Sequence, residues 1–251
     1  MTVEAVIFDW GGTLTPYVGV EMVDMWRMAA RRLAPEREDE VCARLVAVEE
    51  ASWARIAVDQ RSTRLASLLS AASADLGLDV TDAVLEEAAI SHLDSWTPHM
   101  HHDPKAVDAL AGLRGLGCRI GLLSNTHWPR AFHERFLARD GLDALIDVRC
   151  YTSELAFTKP HREAFTTVLG ALGVTPAAAV FVGDRPYDDI WGAQAVGMRA
   201  VLRPNRAVPA FDAVPDAEIS ELPELLPIVR RWQEEQSNQL IRPPCGPFVG
   251  N

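Results

Sequence analysis

Val3 to Phe8 is a mostly apolar and β-branched run, the pattern of a strand buried on both faces. It delivers a carboxylate, Asp9, directly into Trp10-Gly11-Gly12-Thr13-Leu14. The two glycines let the chain turn sharply and let its backbone approach a ligand. A charge at the C-terminal end of a buried strand is costly without a purpose. In open α/β sheets that end is where ligands bind. Taken alone, the stretch also suits an aspartate that opens a turn and caps the next segment.

The rest of the chain says what surrounds that strand. From about Tyr17 to Trp96 the apolar spacing is helical, with segments over Val20–Leu33, Val41–Ile56, Thr63–Leu76 and Thr81–Trp96. After Pro104, strands alternate with helices. The strands fall at Cys118–Leu123, Leu145–Tyr151, Ala179–Val182 and Arg199–Leu202. The helices fall at Ala106–Leu116, Ala131–Arg139, His161–Leu172, from about Asp189 to Ala195, and at Leu222–Gln236. Such alternation with short loops predicts an α/β fold with a doubly wound, mostly parallel, Rossmann-like sheet. The helical block then reads as an insertion: 16–99 forms a helical cap, and 1–15 with 100–251 forms a discontinuous core. The tail from Arg242 is expected to be loosely held.

Several functions are disfavoured by composition. A net charge of −11 argues against a nucleic-acid or acidic-membrane binder, while leaving room for a small anionic ligand. No run of 18 apolar residues suggests a membrane span. The first strand begins too early for a signal peptide. Cys42, Cys118, Cys150 and Cys245 show no metal-ligand spacing, and a reducing cytoplasm is the expected location. Three histidines in the second cap linker, His99, His101 and His102, lack an acidic or cysteine partner at metal spacing and read as a solvated hinge.

Polar groups stand where the predicted strands end: Asp9, then Ser124-Asn125, then Asp184 with Asp188 and Asp189, with Lys159 before a helix. In a parallel sheet these ends share one edge. Aspartates converging there would repel one another without a cation, and hard oxygen ligands favour Mg²⁺ together with substrate phosphate.

In order and spacing, Phe8 to Leu14, Leu123-Ser124-Asn125-Thr126, Thr158-Lys159-Pro160 and Val182-Gly183-Asp184 through Ala193 resemble the four motifs of the haloacid dehalogenase-like superfamily. The helical insert resembles its type-1 cap. That resemblance implies a hydrolase, most directly a Mg²⁺-dependent phosphatase acting on a small phosphorylated metabolite. Asp9 would be the nucleophile that forms an aspartyl-phosphate. Lys159 and Ser124 would bind the phosphoryl group, with Gly11, Gly12 and Asn125 lining its site. Asp9, the Gly11 carbonyl, Asp184 and either Asp189 or Asp188 would hold the metal. Asp189 aligns better with the Asp-Ile-x-Gly-Ala pattern.

One departure matters. Most phosphatases of this superfamily carry a second aspartate two residues after the nucleophile, and Gly11 stands there. Without that acid, substrates with good leaving groups, such as acyl phosphates and sugar 1-phosphates, suit the site best. His127 is a candidate water activator. Phosphonoacetaldehyde hydrolases also lack the second acid, but they need a cap lysine; the chain's lysines are Lys105 and Lys159, both outside the cap. Haloacid dehalogenases lack both that acid and the metal, whereas the Asp184, Asp188 and Asp189 group has the metal-binding form. A non-catalytic protein retaining the fold is the remaining alternative. For substrate choice, Trp26, Trp53 and Trp96 could line the cap's inner face, and Arg55, Arg61 and Arg64 could meet an anionic group.

Overall fold

In the computed structural model, residues 2–17 and 19–241 are described, with side chains through Glu235. The expectation about the tail from Arg242 lies outside the described residues. β1 (Ala5–Phe8) is flanked on one side by β2 (Arg119–Ser124) and then β3 (Val148–Tyr151). On its other side lie β4 (Ala179–Gly183), β5 (Arg199–Leu202) and β6 (Ala217–Glu218). All neighbouring pairs are parallel.

Side chains alternate between two helical layers, as the period of a strand requires. Val6 and Phe8 join Ile120, Leu122, Val180 and Val182 on one face. Packed there are α5 (Ala106–Gly115), α6 (Arg130–Arg139) and α9 (Leu225–Ile241). Ala5, Ile7, Leu123 and Phe181 face the other way, against Phe165, Val168 and Leu172 of α7 (Arg162–Leu172). Because both faces are covered, the strands are apolar nearly throughout.

The insert supplies α1 (Met22–Leu33), α2 (Glu38–Asp59), α3 (Leu65–Asp75) and α4 (Asp82–Trp96), which enclose a core of their own around Trp26, Leu45, Leu69 and Ala88. The loop between α2 and α3 is laced to the sheet domain. Thr158 N–H donates to the Gln60 carbonyl at 2.8 Å, Ser62 N–H to Ala156 at 3.1 Å, and Leu65 N–H to His127 at 2.7 Å. Among the described residues, no helix is long and apolar enough to cross a membrane.

Four local expectations need correction. β1 starts at Ala5 rather than Val3, and β3 at Val148 rather than Leu145. Leu145 N–H bonds the Leu142 carbonyl in a turn, and the Asp147 carboxylate accepts from Ile120 N–H at 2.7 Å. A sixth strand, β6, is only two residues long and carries too little pattern to read. Where one helix was expected from Asp189, a π-type turn (Pro186–Trp191) precedes a four-residue α8 (Gly192–Ala195).

Candidate active site

Phe8 pairs with both Leu122 and Val182, so Asp9 stands within one residue of the level of Ser124 and Asp184 at the carboxyl edge of the sheet. The chain winds outward from β1 to β3 and returns to β4 on β1's other side. That reversal opens a crevice at the carboxyl edge. Asp9, Asp184 and Asp189 meet there, each buried, with one ligand atom apiece lying mutually within 4.8 Å. Lys159, also buried, joins them: its ammonium donates to Asp9 Oδ1 at 2.6 Å and to Asp189 Oδ1 at 2.7 Å.

The remaining polar atoms hold this cluster in place. Asp189 Oδ2 accepts from Arg185 N–H at 3.0 Å, and Asp184 Oδ2 from the Asn205 amide at 2.7 Å. Asn125 grips the backbone of Lys159 at both ends, accepting from its N–H at 2.8 Å and donating to its carbonyl at 3.0 Å. Asp188 lines the same cavity but stands outside that group of three, and pairs with Arg185 Nε at 2.7 Å. Ser124, Gly11 and Gly12 line the same cavity.

Two glycines are required by close approach. Gly12 has φ +81°, and a Cβ there would fall 2.1 Å from Asp184 Oδ2. At Gly183 a Cβ would stand 2.3 Å from the Asp189 carboxyl carbon. By contrast, a Cβ at Gly11 would meet nothing within 4 Å.

Burial pushes the Asp9 carboxyl up to about 7; Lys159 opposes this, while Asp189 and Asp184 add to it. Burial and the Asp189 charge raise Asp184 to about 6. For Lys159 burial works downward, but Asp189 and Asp9 hold its ammonium above the ordinary lysine range. Three carboxyl groups around one ammonium leave the cluster short of positive charge. Asp184 Oδ1 is buried without a hydrogen-bond partner. All-oxygen donors with an unfilled buried oxygen fit a hard divalent ion such as Mg²⁺.

The site opens into a cavity of about 820 Å³ between the sheet edge and the helical insert. Trp53 and Trp96 line it, whereas Trp26 is packed inside the insert, stacked on His92 at 3.7 Å. None of Arg55, Arg61 and Arg64 is among the lining residues. Arg55 pairs with Asp59, Arg61 lies over the Phe157 ring, and Arg64 donates to the Ser153 carbonyl. His127 Nε2 lies 3.1 Å from Glu49 Oε1, and its ring is 5.3 Å from that of Trp53. In the linker, His102 accepts from Trp10 Nε1 at 2.9 Å and faces Asp140, and His101 contacts the Pro98 carbonyl. Glu49 and Asn205 escaped the sequence reading, since one sits inside a regular helical pattern and the other in a loop without a motif.

The model of the haloacid dehalogenase-like hydrolase family matches residues 3–197. This chain belongs to that family. It is 28% identical over 169 residues to the glyceraldehyde 3-phosphate phosphatase of Methanopyrus kandleri, covering 64% of this chain and 70% of that protein. Of further curated phosphatases that it matches, it spans between 49% and 66% of the length. Among solved structures, a 2-haloacid dehalogenase from Pseudomonas syringae pv. Tomato DC3000 superposes with a TM-score of 0.68 at 25% identity, covering 92% of this chain and all of that one. A phosphatase of the family from Thermococcus onnurineus gives 0.61 at 25% identity, covering 90% and 97%. The chain is thus a hydrolase with a six-stranded parallel sheet and a helical insert.

Proposed function

We propose that this hydrolase is a Mg²⁺-dependent phosphatase of small phosphorylated metabolites that works through an aspartyl-phosphate on Asp9. The observation that carries this reading is the buried triad of Asp9, Asp184 and Asp189 with a single ammonium among them. A dehalogenating aspartate needs no cation, and for such an enzyme two further buried carboxyl groups would be a burden without use. Resemblance to curated phosphatases supports the same choice.

In this reading Asp9 attacks phosphorus, an Asp9 oxygen–phosphorus bond forms, and the bond to the leaving oxygen breaks with its electron pair on the departing group. Lys159 holds Asp9 oriented and offsets charge on the phosphoryl oxygens, with Ser124 and the backbone of Gly11 and Gly12 beside it. Water then attacks phosphorus, frees the Asp9 carboxylate and releases phosphate. Asp9, Asp184, Asp189 and the Gly11 carbonyl would hold the metal, with Asp188 serving Arg185 instead. Bound there, Mg²⁺ supplies positive charge to the phosphoryl oxygens. With no carboxyl at position 11, the leaving group takes its proton from water.

The decisive assay is phosphate release from acetyl phosphate and a sugar 1-phosphate, with Mg²⁺ and with EDTA, alongside halide release from a 2-haloacid. Metal-dependent phosphate release without halide supports the proposal; halide release without phosphate overturns it. The open space at Gly11 adds a prediction. In Gly11→Asp the new carboxyl should act as a general acid, raising kcat/KM on alkyl phosphates by roughly 10²-fold and on acetyl phosphate much less. Equal gains on both would contradict the leaving-group argument.

Metal binding should also depend on pH. Asp9 and Asp184 have ordinary values of 3.8, raised to about 7 and about 6 in the fold. Between about pH 4 and 7 the metal-free folded state therefore holds protons that the unfolded chain has lost, and stability falls as pH rises through that window. Mg²⁺ competes with those protons, so the melting-temperature gain on adding Mg²⁺ should grow from pH 5.5 to 8. A gain independent of pH would show that these carboxyl groups do not bind the ion.

A further inference from the structure

From the wall of the 820 Å³ cavity we infer that the group cleaved from phosphate is an uncharged phenol or comparably acidic hydroxyl with an apolar or aromatic body, and that a second anionic group on the substrate is rejected by Glu49. This rests on the phosphatase reading and names its substrate class.

Two observations carry it. First, among the described residues the lysine and the arginine lining the cavity are both engaged. Lys159 serves Asp9 and Asp189, and Arg185 serves Asp188. Burial holds His133 near a value of about 3 and hence uncharged. Outside the phosphoryl site, no lining lysine or arginine among the described residues offers free positive charge to a carboxylate or a second phosphate. Second, Glu49 is a buried carboxylate in the α2 wall. Its Oε2 accepts from Trp26 Nε1 at 2.7 Å, and its Oε1 lies 3.1 Å from His127 Nε2. Burial works against its charge, but these two partners outweigh it and keep the carboxyl below the ordinary glutamate range. An anionic leaving group would meet that charge beside a largely aromatic wall, where screening is weaker than in bulk water.

The rest of the wall is aromatic. Trp53, Trp96, Trp128, Tyr17, Tyr187 and Phe211 line it. Tyr17 and Phe211 are exposed, with Tyr187 packed 4.8 Å from Phe211. Flat apolar surfaces of this kind bury rings and alkyl groups. The cavity lies in the upper part of the range, about 300–1,000 Å³, in which sites enclose whole small molecules, so it admits a body larger than three carbons.

The test compares two aryl esters of similar size, 4-(hydroxymethyl)phenyl phosphate and 4-carboxyphenyl phosphate, with acetyl phosphate alongside and Mg²⁺ present. The hydroxymethyl phenol is the slightly poorer leaving group, so intrinsic chemistry opposes the expected preference. The neutral ester should nevertheless show kcat/KM at least about tenfold higher. In Glu49→Gln the ratio should shrink toward one; being a ratio within one preparation, it is insensitive to the amount of folded protein. Should that variant fail to fold, the native comparison still decides. Equal or better turnover of the carboxylate ester overturns the inference, and an unchanged ratio in Glu49→Gln removes Glu49 as its cause. Hydrolysis of acetyl phosphate with both aryl esters refused also overturns it, leaving the phosphatase reading in place. Silence on all three substrates removes that reading and the inference together.

Discussion

Asp9→Asn is expected to lower phosphate release from acetyl phosphate by at least about 10⁴-fold, because an amide oxygen is a poor nucleophile toward phosphorus. The fold should survive. Asparagine has the same shape, and the buried position already favours a neutral group, with the Asp9 carboxyl pushed up to about 7. The variant should therefore melt, without metal at pH 8, no lower than the native protein. Phosphate release and a thermal melt on one preparation test both halves. Activity within about tenfold of native would place the nucleophile elsewhere.

Lys159→Met tests the other half of the cluster and should strike stability as well as rate. The ammonium is buried and bonded to two carboxylates, at 2.6 Å and 2.7 Å. Removing one partner of a buried ionic group typically costs about 3–5 kcal/mol, since the charges left behind lose their compensation. Here three carboxyl groups would remain without a cation. The cluster would respond by taking up protons, so the folded values of Asp9 and Asp184 would rise further above the unfolded value of 3.8. The sign follows: the folded variant binds more protons than the unfolded chain across neutral pH, and its stability falls as pH rises. Urea unfolding in EDTA should show a large loss at pH 8 and a smaller one at pH 5. Turnover should also drop by about 10²–10³-fold, the effect of losing one charge-stabilising donor. A variant as stable as native at pH 8 would mean that the ammonium does not hold this cluster together.

Much of the architecture was legible because a parallel sheet leaves a simple trace. The central strands β1 and β4 are apolar on both faces, and a carboxylate follows directly where each ends. Asp9, Ser124 and Asp184 could be placed at one edge from that rule alone. The neighbouring pair Asp188 and Asp189 could not be separated, because adjacent carboxylates look alike in sequence. The π-type turn turns Asp189 toward Lys159 and leaves Asp188 to Arg185. Backbone hydrogen bonding that departs from the α pattern has no residue signature here.

The cavity wall was less legible, for a related reason. Trp26, Trp53 and Trp96 sit at similar helical spacings, yet Trp26 points into the insert's own core while the other two face the cavity. Which face of a helix meets the site depends on how α1 to α4 pack on one another. Glu49 falls among apolar positions of α2 and reads as an ordinary helix residue until Trp26 and His127 are seen beside it. Asn205 lies 21 residues from Asp184, in a loop whose course the local sequence does not dictate.

The most direct test of Asp9 as a phosphoryl carrier is a rapid acid quench after mixing the native protein with acetyl phosphate and Mg²⁺, followed by mass measurement of its peptides. The expected result is one phosphoryl group on the peptide containing Asp9, lost when EDTA replaces Mg²⁺ and absent in Asp9→Asn. Steady phosphate release with no label on Asp9, or with the label on another residue, would contradict it.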